Sequence, residues 1–362
     1  MSVLRHTLGM QLNTERQRRA RNHQRQTTGV LVLTMHDARG IAEPLERYGE
    51  LLACQIVGLY NALHGLPPTS RHALARLKQL FHEADGLPVT RRILLRPEYQ
   101  WRFGYNHQTI YRRTAGTGRF LLANGIYEQD ALDWADRTRV VQISADSRQA
   151  PSDHDAALSL IMASLEIAVR QCRELRFITH IEIVRNGSAQ AQRAANPLSI
   201  PIPLIAHTFQ GGRRVELADV HLIPDAVFGI QYPPANDPDF KFFALEYDRS
   251  TEDVEPTKNL LRASWLRKAL SYSALSHGPS PLYETYLKIP NLLVLCVFSD
   301  PARMAHVMRV VQVHASCPER FLFKTIAPVD PLLNAAPLPQ LLHAPWERLG
   351  GTFNIRTLEE RR

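Results

Sequence analysis

Two acidic motifs stand close together in the second half of the 362-residue chain: Pro224-Asp225, just ahead of the run AVFGIQ, and Glu246-x-Asp248, closing the run FKFFALEYD. Both runs are apolar and rich in β-branched and aromatic residues, so both are expected as strands. Residues two apart on a strand face the same way, which puts Glu246 and Asp248 on one face. If the two strands pair as a hairpin, Asp225 opens one where the other ends, and the acids converge. Three converging carboxylates make a hard oxygen site suited to Mg²⁺ or Mn²⁺. Such an ion activates a water and stabilises charge on a scissile phosphate. The alternative for any strand-end acid is a solvated turn, and Asp225 taken alone fits that alternative better.

The elements that must position these acids can be read on either side. Ser152 to Asp155 resembles a helix start, and Leu158, Ile161, Met162, Leu165, Val169, Cys172 and Leu175 continue it at helical spacing. Phe177 to Val184 alternates as a strand does, and a Pro-rich excursion follows at Pro197, Pro201 and Pro203. Strand-like runs resume at Val215–Ile223, Ala226–Gln231 and Phe240–Tyr247. A long helix is expected from about Pro256, a favourable first-turn residue, to Leu275. The strand Leu292–Phe298, a helix from Pro301 and the strand Phe321–Ile326 complete the order α-β-β-β-α-β with α-β appended. An apolar strand such as LLVLCVF between helices is usually buried on both faces, so the sheet should be mixed and helix-covered.

In that setting the stretch LIPDAVFGIQ…FKFFALEYDRSTEDVEPTK resembles the PD-(D/E)xK nuclease-like core. More narrowly, it is similar to the plasmid replication-relaxation family, winged-helix proteins of mobile elements with a nuclease-like C-terminal region. The matching residues are Pro224, Asp225, Ala226, Glu246, Asp248, Arg249, Thr251, Glu252, Lys258 and Tyr272. The likeness is closest over residues 215–275 and extends loosely to VLCVFSDPARM and to the first half of the chain. It implies a site of Asp225, Glu246, Asp248 and Lys258, with Mg²⁺ or Mn²⁺ on Asp225 and Glu246 if the site is catalytic. Glu166 matches the accessory metal-site glutamate of such folds, and fits a solvated helix flank equally well. One departure matters: the nuclease pattern places a lysine two residues after the glutamate, and Asp248 stands there. Lys258 is the substitute on offer, on a stripe with Leu261, Trp265, Ala269 and Tyr272. The competing account is a surface lysine snorkelling at a helix end. The missing lysine favours a domain that binds or assembles without cleaving over an active metal-dependent nuclease or nickase.

The chain carries a net charge of +8, all of it in its first 150 residues, where 21 Lys and Arg face 13 Asp and Glu. Twenty of those cations are arginines, whose planar fork binds phosphate two-pronged. Residues 1–29 read as a flexible basic arm and Val30–Met35 as a first strand. A helix is expected over Glu46–Leu63, ending at Gly65 and Pro67-Pro68, and a second after the cap Thr69-Ser70. That second helix buries Leu74, Leu77, Leu80 and Phe81 and turns Arg71, His72, Arg76 and Lys78 outward, as a major-groove helix should. RILLR (Arg92–Arg96) and TIYRR (Thr109–Arg113) then read as a hairpin, a basic wing bearing Arg91, Arg92, Arg96, Arg102, Arg112 and Arg113. About six phosphate contacts would give a log–log salt slope near −5.

These readings combine into an α/β chain: an N-terminal winged helix followed by a restriction-endonuclease-like αβββαβ domain with a mixed sheet. The expected divisions are an arm over 1–29, a winged helix over 30–113, a connector over 114–150, the nuclease-like domain over 151–330 and a tail over 331–362. The expected function is duplex-DNA binding for a plasmid or integrative mobile element, in replication/relaxation or mobilisation. The alternatives are an active nuclease, or a winged-helix transcription regulator whose C-terminal half dimerises. Partners are double-stranded DNA, other mobile-element replication or mobilisation proteins and a second copy of the chain. No run suits a membrane span, and four scattered cysteines without a CxxC pair point to a reducing, cytoplasmic setting. His154, at the base of the first carboxylate-domain helix, reads as a capping or satisfied histidine.

Overall fold

The computed structural model describes residues 32–82, 92–103, 109–141, 146, 148–233, 239–250, 252–256, 258–328 and 336–361. The fold is mixed α/β and divides into two compact units, Met1–Tyr127 with Ser144–Ala150 and Glu128–Ile143 with Pro151–Arg362. The arm over residues 1–29 and Arg91 lie outside the described residues, as does most of the expected hairpin turn at 103–106.

In the first unit, helix α1 is α-helical over Met35–Asp37 and Glu43–Tyr48, with a π-helical turn at Ala38–Ala42 between them. Val32–Thr34 is therefore not strand: Thr34 caps α1 instead, its side chain accepting from the Asp37 amide. The single helix expected over Glu46–Leu63 is broken at Gly49, whose φ of 81° suits glycine and ends α1. A short strand β1 (Glu50–Leu52) then leads into α2 (Ala53–Leu63), and α3 (His72–His82) follows. Strands β2 (Leu94–Leu95) and β3 (Ile110–Arg113) are antiparallel and join β1 in a three-stranded sheet of order β1-β3-β2. The Gly116-Thr117-Gly118 segment, expected as a turn, lies inside helix α4 (Ala115–Ala123), which Thr114 caps.

The second unit opens with α5 (Gln129–Arg137); Val140 and Val141, expected in a strand, are buried but not in one. Helix α6 (Asp153–Gln171) is capped by Ser152, with Asp153 and Asp155 in its first turn and Arg170 in its last, as the helix dipole favours. Every residue from Ala157 to Val169 is buried, so α6 is covered all round rather than along one stripe. FITHIEIV splits: β4 is only Arg176–Ile178, and Thr179 with Glu182 forms a capping box that starts α7 (His180–Asn186). After α8 (Ala189–Arg193), the Pro-rich segment is not an excursion but strand β5 (Ile200–Thr208), paired antiparallel with β6 (Arg214–Leu222) in a separate ribbon.

The main sheet is built from β7 (Ala226–Tyr232), β8 (Asp239–Asp248), β9 (Leu293–Phe298) and β10 (Phe321–Thr325), with β4 beyond β7. β4 and β8 run antiparallel to β7, whereas β8, β9 and β10 are parallel. Parallel neighbours need a crossover, and these are helices α9 (Trp265–Leu275) and α10 (Pro301–His314). Helix α9 starts not at Pro256 but at Trp265, with Ser264 capping the Arg267 amide. After α11 (Gln340–His343), the expected tail supplies β11 (Trp346–Arg348), β12 (Gly351–Phe353) and β13 (Glu360–Arg361), which extend the sheet to eight strands beyond β10. No helix among the described residues is long and apolar enough to cross a membrane.

Candidate functional site

The β7–β8 register pairs Ala226 with Leu245, so one step further it sets Asp225 opposite Glu246. The Tyr247 amide donates to Asp225 Oδ2 at 2.8 Å, fixing that carboxylate at the strand end. Glu246 and Asp248 share a face, as alternation requires, and both meet α9. Three α9 side chains spaced along one stripe receive them: Tyr272 donates its hydroxyl to Glu246 Oε1 at 2.6 Å, Lys268 Nζ lies 2.8 Å from Glu246 Oε2, and the Trp265 indole N–H bonds Asp248 Oδ2. Lys268 Nζ also lies 3.4 Å from Glu252 Oε2, so Glu252 shares the same ammonium.

Glu246 is fully buried beneath these groups, while the side chains of Lys268, Asp225, His154 and Glu252 are partly exposed at the mouth. Burial pushes the Glu246 carboxyl up to about 7, against the pull of Lys268. Burial would lower Lys268, but the surrounding carboxylates, Glu246 first, raise it. His154 Nδ1 lies 3.7 Å from Asp155 Oδ1 and its Nε2 3.3 Å from Asp225 Oδ2. These two carboxylates raise His154 to about 10, so at neutral pH it is an imidazolium. Burial would raise Asp225, but His154, Lys268 and the Tyr247 amide hold it below the usual aspartate range.

The titrations give a pH window. The raised His154 stabilises the fold fully below its unfolded pKa of about 6.5, a contribution lost as pH climbs through about 10. The raised Glu246 acts in the same direction lower down, its contribution fading as pH rises from about 4.5 through 7. The lowered Asp225 acts oppositely and loses its contribution only in acid, as pH falls below 3.8. Urea midpoints of the second unit should therefore fall between pH 7 and 10. His154→Ala should flatten that alkaline slope; an unchanged slope would show that the contacts of His154 with Asp155 and Asp225 are not made in solution.

The structure places the expected site residues differently from one another. Asp225 and Glu246 come together. Asp248 does not join them as a ligand: Arg303 Nε holds both its oxygens, at 3.0 and 2.9 Å, and the Ser250 amide and Trp265 complete its bonds. Lys258 is exposed in the loop before α9 and stands outside the helical stripe expected for it, because the helix begins seven residues later at Trp265. The lysine that meets Glu246 is Lys268, from α9. The signal for it was present: Lys268 precedes Tyr272 by one helical turn, the spacing at which two side chains reach one acceptor. Glu166 is buried and ion-paired with Arg170 at 2.8 Å, one turn along α6.

This donor set does not fit the divalent ion that the resemblance implies. Among the described residues, no group of three His, Cys, Asp or Glu side chains is arranged to hold a metal. Both Glu246 oxygens face protein donors, and Asp225 is taken by an amide and an imidazolium.

In the first unit, Arg71, just ahead of α3, and Lys78, on it, are exposed, and His72, Ala75 and Lys78 form the solvent face of α3. The same helix buries Ala73, Leu77, Leu80 and Phe81. The other expected DNA contacts are mostly internal. Arg76 grips Asp37 at 3.0 and 2.5 Å and the Val32 carbonyl at 2.9 Å. Arg96 lies 4.0 Å over the Phe81 ring and donates to Tyr111 Oη. Arg112 is paired with Glu50 and Arg113 with Glu46, both carboxylates buried. Each buried acid needs a cation, so these arginines face inward. Arg92 is half-buried, and the Arg102 side chain lies outside the described residues.

No protein-family model matches the chain, and comparisons with curated proteins and with solved structures return no match.

Proposed function

We propose that the chain is a duplex-DNA-binding protein of a plasmid or integrative mobile element, acting in replication/relaxation or mobilisation, whose second unit is a nuclease-like module that does not cleave. The observation that carries the DNA-binding half is α3, a helix packed by its apolar stripe with His72 and Lys78 on its solvent face and Arg71 exposed just ahead of it. The order α1-β1-α2-α3-β2-β3 with sheet order β1-β3-β2 fits a winged helix around it. In the second unit, α6-β4-β7-β8-α9-β9 fits the helix–strand–strand–strand–helix–strand order of the resemblance, with an α-helical and ribbon insertion after β4. Its acids stand at adjoining strand ends, and their charge is met by Lys268 and His154.

Because four wing and helix arginines are held by internal partners, few phosphates can be neutralised by the first unit's described residues. Without residues 1–29, the log–log salt slope of duplex binding should lie at about −2 to −3, set by Arg71, Lys78 and few others. A slope near −5, followed by fluorescence anisotropy, would mean that the wing arginines leave their carboxylates to bind phosphate.

One observation favours the second reading, a metal-dependent nuclease: Lys268 gives Glu246 the cation that the strand pattern lacks. Supercoiled plasmid incubated with the protein and Mn²⁺ separates the two. Duplex binding without nicking at any metal concentration supports the non-cleaving module. Nicking that disappears in both Glu246→Ala and Lys268→Ala establishes the enzyme and overturns it.

A further inference from the structure

The β5–β6 ribbon is inserted between β4 and β7 and forms a sheet of its own. Its base is anchored: Ile200, Ile202, Val220 and Leu222 are buried, β5 packs on α9, and the His207 ring stands edge-on to His314 at the end of α10, 4.9 Å away. The ladder skips Pro203 opposite Asp219, where Pro203 has no N–H to give and Asp219 takes a left-handed φ of 52°. Alternation shifts there, so that Ile205 rather than Leu204 is buried in the outer half of the ribbon. Past Thr208 the chain turns tightly: the Phe209 amide donates to the Arg213 carbonyl at 2.9 Å and the Gly212 amide to the Phe209 carbonyl at 3.1 Å. Gly211 and Gly212 have φ of 92° and 79°, and among the described residues a Cβ on either would touch nothing within 4 Å. Backbone conformation rather than crowding therefore calls for glycine at both. Phe209 is buried at the root of this turn, and every residue from Gln210 to Arg214 is exposed.

We infer that this tip is a second duplex-DNA contact of the chain, made by Arg213 and Arg214 on phosphate and regulated by Glu216. Two antiparallel strands make a ribbon narrow enough to enter a major groove about 12 Å wide. An arginine fork binds phosphate two-pronged, and the two glycines let the backbone come close to it. A protein partner would want an apolar or aromatic anchor at the centre of its contact, and Gln210-Gly211-Gly212-Arg213-Arg214 offers none. Arg214 is already engaged, lying 2.6 Å from Glu216, two residues along β6, with both side chains well exposed. A pair so exposed is weak, so a phosphate can draw Arg214 off Glu216. The inference rests on the reading of the chain as a duplex binder, and adds to it a contact in the second unit that needs neither the carboxylate site nor cleavage.

The test is anisotropy of a labelled duplex titrated with the full chain over a range of salt. Arg213→Ala/Arg214→Ala should weaken binding about tenfold and make the log–log salt slope shallower by about 1, with the melting temperature unchanged. Arg185→Ala/Arg193→Ala removes the same charge from exposed positions on α7 and α8 and should change affinity by less than about twofold. Glu216→Gln releases Arg214 and should strengthen binding about threefold, a gain that disappears when Arg214→Ala is added. Wild-type affinity in Arg213→Ala/Arg214→Ala, or a loss no larger than in Arg185→Ala/Arg193→Ala, would overturn the contact. A Glu216→Gln gain that persists without Arg214 would overturn the part given to Glu216. Wild-type protein that binds no duplex removes the functional reading and this inference together, whereas wild-type binding indifferent to the tip removes the inference alone.

Discussion

Reversing the charges of Arg71 and Lys78 together, as Arg71→Glu/Lys78→Glu, should weaken duplex binding about a hundredfold at moderate salt and leave the melting temperature unchanged. Both side chains are exposed beside or on α3, and neither supports the core, which α3 meets through Ala73, Leu77, Leu80 and Phe81. A charge-assisted hydrogen bond is worth about 1.5–3 kcal/mol, so two lost contacts amount to roughly 3 kcal/mol or more. Each 1.4 kcal/mol is about tenfold in affinity. The measurement is anisotropy of a labelled duplex, with a melting curve beside it. Unchanged affinity would remove α3 from the interface and with it the observation on which the proposed DNA reader rests.

Arg112→Ala should do the opposite: destabilise the first unit by about 3–5 kcal/mol, the usual effect of breaking a buried ion pair from one side. β1 and β3 set Glu50 directly opposite Arg112, and both side chains are buried. Tyr99 donates its hydroxyl to Glu50 at 2.5 Å, and Arg112 also reaches the Gln149 carbonyl at 3.1 Å. Burial raises the Glu50 carboxyl even with Arg112 present, so without the guanidinium the acid must take a proton or stay charged in an apolar setting. Since whole domains are stable by only about 5–15 kcal/mol, the loss should be plain in urea midpoints. Replacing both partners, as Glu50→Leu/Arg112→Leu, should recover most of it, because the cost lies in the orphaned charge. A loss under about 1 kcal/mol would show that the pair is not the brace of this sheet.

The two variants separate cations that composition alone counts as equals. Along the chain, Arg76 and its acid Asp37 are 39 residues apart, Arg112 and Glu50 62 apart, and Arg113 and Glu46 67 apart. Local periodicity identifies α3 and its apolar stripe, but says nothing of acids so distant, so the wing appeared more basic to solvent than it is. The same holds at the carboxylate site. That Glu246 and Asp248 share a face follows from strand alternation, and that Asp225 meets Glu246 follows from a hairpin register. Which of them keeps a structural partner does not: Asp248 is claimed by Arg303, which arrives from α10, 55 residues away.

Lys258 and Lys268 show where periodicity misleads. The stripe through Leu261, Trp265, Ala269 and Tyr272 can be extended backward to Lys258 on paper, but the chain becomes helical only after Ser264. The Ser264 side chain accepting from the Arg267 amide marks that boundary, and cap residues are common enough in loops to be overlooked there. The split of FITHIEIV at Thr179 has the same origin: its capping box competes with strand alternation, and burial of the α7 side chains decides for helix.

The features legible along the chain are local ones: the apolar helix α6, the buried strands β8 and β9, the shared face of Glu246 and Asp248, the outward Arg71 and Lys78, and a surplus of eight positive charges confined to the first 150 residues. Long-range packing selects which charges remain available, turning Arg76, Arg112 and Arg113 inward and setting Lys268 rather than Lys258 on Glu246. The physical reason is that spacing along a helix or strand is a property of neighbouring residues, whereas burying a carboxylate obliges the fold to bring a cation from wherever in the chain its strands and helices can deliver one.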